Sequence, residues 1–116
     1  MDLKDRAALI VSFDTRELRD RCEKLDRTEA WLGSARAAAL VEVVTSLEAA
    51  SNVAEFLDLF GSDARLRGDD SLEIALDPRC RALFAAVGTK FFRGAGGRIE
   101  WTSVDRIKLM TIEIDA

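Results

Sequence analysis

Histidine and tyrosine are missing altogether from the 116 residues, and each absence removes chemistry. Without imidazole there is no histidine for a catalytic triad, a metal site or a near-neutral general base. Without a phenol, tyrosine acid–base chemistry is excluded as well. Cysteine is scarce: Cys22 and Cys80 are the only two. Their spacing fits no metal motif, so two free, mostly buried thiols are expected, with no metal and no cofactor. No apolar run is long enough to span a bilayer, and the N-terminus lacks a signal-peptide pattern. A cytoplasmic protein without a membrane partner is therefore expected.

The totals fit a folded chain. Apolar residues make up 48% and charged residues 33%, which argues against disorder. The length suits a single domain over residues 1–116. The formal net charge of −4 argues against indiscriminate nucleic-acid binding. The charge is unevenly spread. Residues 1–64 carry eight basic and thirteen acidic side chains, whereas residues 65–108 carry nine and six.

That basic surplus centres on Arg65 to Val87 (RLRGDDSLEIALDPRCRALFAAV). Leu72 to Leu76 alternates apolar with polar or small residues, the period of a strand with one buried face. Asp77-Pro78-Arg79 then reverses the chain, because proline fixes φ and lacks an N–H. Cys80 to Val87 reads as the returning strand of a β-hairpin. Arg65 and Arg67 enter this hairpin; Arg79 and Arg81 lie at its turn and on its return.

Upstream, Ala8 to Phe13 reads as a short buried strand. Asp14 or Thr15 can cap a helix over Thr15 to Leu25, whose Leu18, Cys22 and Leu25 form a narrow apolar stripe. Thr28 to Gly33 reads as a connection. Ser34 is expected to cap the longest helix, Ala35 to about Ala50, with Ala39, Leu40, Val43, Val44 and Leu47 as its apolar face. Ser51-Asn52 breaks that pattern. Val53 to Phe60 is either a short helical turn or an extended segment, and Gly61 ends it. Gly88 to Gly97 reads as a flexible inter-strand loop, since no helix follows to make it a phosphate cradle. Asp105 to Ile114 is a strand whose apolar phase changes midway. Either Met110-Thr111 holds a β-bulge, or both faces are buried there. The fold class expected is α+β, with two helices packed on one mostly antiparallel sheet.

The β-α-α-β-β-β order resembles the RelE/ParE superfamily of bacterial toxins, and most of all its HigB-like "killer protein" branch of plasmid maintenance systems. The resemblance is carried by the short first strand, the charged helix and the long Ala-rich helix. It continues through Arg65-Leu66-x-Gly68, the hairpin LEIALDPRCRALF and the ending Trp101-x-x-Val104-x-Arg106-Ile107-Lys108-x-Met110-x-Ile112-Glu113. It implies the toxin component of a type II toxin–antitoxin system. Such a toxin is an endoribonuclease, an mRNA interferase that cuts messenger RNA, usually on the ribosome. A cognate antitoxin, often a helix-turn-helix protein, neutralises it. The alternative is a non-catalytic binding module of the same fold, a gyrase inhibitor or degenerate toxin. The resemblance places Arg65 and Arg81 at the family's catalytic arginines, Arg81 within Cys80-Arg81-Ala82-Leu83-Phe84. Arg67, Arg79, Lys90, Arg93 and Lys108 are the expected RNA-binding cations.

Metal-free RNA cleavage needs a base for the 2′-hydroxyl, a donor to the leaving oxygen and cations for charge at phosphorus. Arginine suits the last role, because its planar fork donates twice to a phosphate. The base is the gap: Glu73, Asp77 and Lys108 are the candidates left. The chain departs from the family in its acidic charge, in lacking a late Tyr or His, and in lacking Lys or Arg over Ala37 to Ala50. Each departure weakens the ribonuclease reading. The competing reading of the arginines is plain surface pairing with Asp69, Asp70, Glu73 and Asp77. Trp101 reads as a packing anchor, since it stands alone among the aromatics.

Overall fold

The computed structural model describes residues 9–67, 70–87 and 99–115, with the backbone alone at positions 62 and 102. Lys90, Arg93, Asp69 and the expected loop over 88–97 lie outside the described residues. The protein is an α+β fold, with four helices and a five-stranded, mostly antiparallel open sheet among the described residues. The order is β1 (Ile10–Phe13), α1 (Arg16–Glu23), α2 (Leu25–Leu32), α3 (Ser34–Ala49), α4 (Val53–Phe60), β2 (Ala64–Arg67), β3 (Ser71–Asp77), β4 (Cys80–Ala86) and β5 (Arg106–Ile114). The expected pair of helices is thus corrected to four, and a fifth strand joins the sheet.

Local chemistry accounts for each helix. Thr15 is the α1 cap, its Oγ1 accepting from the Leu18 N–H at 3.0 Å. Glu17–Arg21 and Arg19–Glu23 pairs brace one exposed side of that helix. The stretch read as a connection is instead α2. Leu25, Thr28 and Leu32 repeat at helical spacing, and Thr28 and Leu32 are buried. Buried Thr28 donates its hydroxyl towards Arg21 O at 2.6 Å and Lys24 O at 3.0 Å, tying α2 to the end of α1. Gly33, with φ of 85°, lets α2 stop and α3 start without a loop. Gly33 therefore takes the cap position, and Ser34 is the first helical residue with no side-chain cap bond. Over Val53 to Phe60 the helical alternative holds. Asn52 caps it by accepting from the Glu55 N–H at 2.9 Å, and Gly61 closes it at φ of 65°.

The sheet runs β1-β5-β4-β3-β2. β1 is parallel to β5, with Ile10 beside Arg106 and Phe13 beside Leu109; the other pairings are antiparallel. The hairpin forms as the alternation predicts, and the Asp77 carboxylate accepts from the Arg79 N–H at 2.7 Å in the turn. In β5 the register passes from Leu83–Thr111 to Phe84–Leu109, leaving Met110 as the extra residue. The change of apolar phase is thus a β-bulge. One cluster of buried residues joins Leu18, Leu32, Leu40, Val43, Leu47, Val53 and Phe56 of the helices to Leu72, Ile74, Ala82, Phe84, Ile107 and Leu109 of the sheet. Trp101 packs against that cluster, as an anchor should.

Candidate functional site

Strand alternation decides which side chains share a surface. With Leu72, Ile74, Ala82, Phe84, Ile107 and Leu109 turned into the core, the intervening residues take the other face. Arg65, Arg67, Ser71, Glu73, Arg81, Lys108 and Glu113 are those residues. Register brings them together: Arg65 pairs across from Glu73, and Arg81 lies between Ala75 and Glu113. Of the other sequence-predicted cations, one is described and lies elsewhere. Arg79 is exposed at the hairpin turn. Lys90 and Arg93 are outside the described residues.

The guanidiniums on this face are interleaved with carboxylates. Arg65 Nε lies 2.8 Å from Glu73 Oε2. Arg67 Nη1 lies 3.7 Å from Glu73 Oε1 and 3.2 Å from Glu113 Oε1. Arg81 Nε donates to Glu113 Oε1 at 3.0 Å, and its Nη2 donates to Asp115 Oδ1 at 2.7 Å. Glu73 sits at the centre, its side chain only 13% exposed, between Arg65 at 78% and Arg81 at 27%. Hydrogen bonding to Arg81 holds the Asp115 carboxyl below its usual range, and the same bond pushes the Arg81 guanidinium up.

Sequence proximity named only some of these partners. Glu73 does pair with the arginines. Asp77 turns away to α3, where Arg36 Nε donates to its Oδ2, and that bond, with the Arg79 N–H, keeps its carboxyl low. Glu113 and Asp115 come from the far end of the chain. Their spacing of two along a strand was the available signal, since it sets both on one side. Of the candidate bases, Glu73 and Asp77 are both engaged by guanidiniums, and for Asp77 the hydrogen bond from Arg36 disfavours proton uptake. Lys108 stands on the same face, across from Ala85, with no ion pair among the described residues.

The helical side offers a different surface. A cavity of about 530 Å³ opens between α1, α2, α3 and β1, lined by Phe13, Cys22, Leu25, Leu40, Val41 and Val44. Burial pushes the Cys22 thiol up to about 11, so it stays protonated at neutral pH. Among the described residues no three acidic or cysteine side chains converge as a metal site would require. No described helix is long and apolar enough to cross a membrane. Comparison with known proteins returned no matching family model, no matching curated protein and no matching solved structure.

Proposed function

We propose that this chain is the toxin-side member of a type II toxin–antitoxin pair of RelE/ParE character, and that it acts as a binding module rather than as a strong ribonuclease. The sequence resemblance supports the first half. The second half rests on one observation: Arg65 and Arg81, the arginines nominated for catalysis, are each held by carboxylates on the open sheet face. The Arg81 fork is filled by Glu113 and Asp115, Arg65 is tied to Glu73 through Nε, and no imidazole or phenol stands by to move the 2′-hydroxyl proton. The cognate antitoxin is then a helix-turn-helix protein encoded beside it, and the chain works in the cytoplasm.

The endoribonuclease reading is retained as second because Arg65, Arg67, Arg81 and Lys108 do share one face. RNA cleavage from that face would use the arginines as charge clamps at phosphorus. Induction in cells tests the main reading. Growth arrest relieved by the product of the adjoining reading frame is expected. No arrest, or arrest that no neighbouring product relieves, overturns it.

A further inference from the structure

Arg81 presents its whole fork to two carboxylates. Nε meets Glu113 Oε1 at 3.0 Å, Nη2 meets Asp115 Oδ1 at 2.7 Å and Nη1 meets Asp115 Oδ2 at 3.4 Å. The same Glu113 oxygen lies 3.2 Å from Arg67 Nη1, so one anionic oxygen bridges guanidiniums from two strands. This is the arrangement a phosphate takes: paired oxygens on one arginine and a shared oxygen on a second. Both acids belong to the last four residues of the chain. Asp115 lies just past β5, with its side chain 48% exposed. Its backbone is held there by the Asp115 N–H donating to Arg79 O at 2.8 Å. Lys108 stands on the same face of β5, on the N-terminal side of the bulge.

We propose that Glu113 and Asp115 are a built-in phosphate mimic, and that a single-stranded phosphodiester chain binds the open sheet face by replacing them at Arg81 and Arg67. Charge favours the exchange once the mimic leaves. Among the described residues, Arg65, Arg67, Arg81 and Lys108 then share the face with Glu73 as the remaining paired acid. A polyanion brings several phosphates to those cations and releases its counterions, whereas the two carboxylates bring none to release. Asp115 lies past the last paired residue of β5, so the displacement is local: it requires no strand of the sheet to unpair beyond the end of β5. The inference is independent of the antitoxin reading, since strand binding tests this one and relief of arrest tests that one.

The test is fluorescence anisotropy with a labelled oligouridylate and a labelled oligothymidylate of equal length. The wild type is compared with Glu113→Gln/Asp115→Asn and with Glu55→Gln/Asp58→Asn, which makes the same charge change on exposed residues of α4. The unmasked variant is expected to bind about tenfold tighter than the α4 variant, with a steeper fall in affinity as salt rises. Adding Arg81→Ala to the unmasked variant should return binding to the α4 variant's level. If the paired variant does not fold, Asp115→Asn alone against Asp58→Asn carries the comparison. Gain with both strands assigns the site to the phosphodiester backbone; gain with one assigns it to that nucleic acid. Equal binding by the unmasked and α4 variants overturns the proposal.

Discussion

Glu73 lies directly across the β2–β3 pairing from Arg65, with Oε2 2.8 Å from Arg65 Nε, yet the two residues live in different environments. Glu73 is mostly buried at the middle of the sheet face, and Arg65 reaches into solvent from an edge strand. The pair is therefore asymmetric in its energetics. An exposed arginine has water as a substitute partner; a mostly buried carboxylate has only the guanidiniums around it.

Glu73→Ala is expected to destabilise the fold by about 1–3 kcal/mol, because it leaves neighbouring cations without their shared counter-charge. Arg65→Ala is expected to cost under about 1 kcal/mol. Urea unfolding of the two variants checks this. Equal losses would show that Glu73 is not the centre of the cluster.

Stability should fall at acid pH in a way that two carboxylates dictate. Asp77 is held low by the hydrogen bond from Arg36, then by the Arg79 N–H, and Asp115 by the hydrogen bond from Arg81. Their folded values lie beneath the unperturbed 3.8. Their contribution is thus complete above that value and disappears as pH falls through the lower folded ones. Thermal unfolding scanned downward from about pH 6 should show Tm dropping below about pH 4, with a shallower drop in Asp77→Asn. An unchanged slope in Asp77→Asn would refute the Arg36–Asp77 contribution.

Thr28→Val should cost about 1–2 kcal/mol although it is nearly isosteric, because the hydroxyl donated to Arg21 O and Lys24 O is lost in a buried place. Denaturant midpoints measure it. A neutral result would mean that those carbonyls are satisfied without Thr28.

Gly33→Ala isolates a backbone effect. No heavy atom lies within 4 Å of where its Cβ would stand, so steric contact contributes nothing. The φ of 85° alone should cost about 1 kcal/mol. Thermal unfolding is the readout, and an unaltered Tm would contradict the cap geometry between α2 and α3.

The hairpin was legible because period-two alternation and a proline turn are local signals. The phase change from Ile107 and Leu109 to Ile112 and Ile114 was legible too, but only the β4–β5 register decides that it is a bulge and not a stretch buried on both faces. α2 was not, because Asp26, Arg27 and Thr28 dilute its apolar stripe and its interior threonine satisfies itself by bonding backwards to carbonyls. β2 was hidden for a related reason. It is four residues long, at a sheet edge, and alternates arginine with Ala64 and Leu66. At the site, the sequence placed Arg65, Arg67 and Arg81 around one hairpin, but that they share a face depends on the β2–β3 pairing. The bonds from Arg81 to Glu113 and Asp115 could not, since they span 32 and 34 residues and depend on how β4 registers against β5.

On the proposed reading, Arg65 and Arg81 are engaged by carboxylates and the chain is a binding module. Mapping of transcript 5′ ends after brief induction of the wild type and of Arg81→Ala tests it most directly. The expected result is growth arrest with the same transcript ends in both. New ends that appear with the wild type and vanish with Arg81→Ala would contradict it and establish the ribonuclease instead.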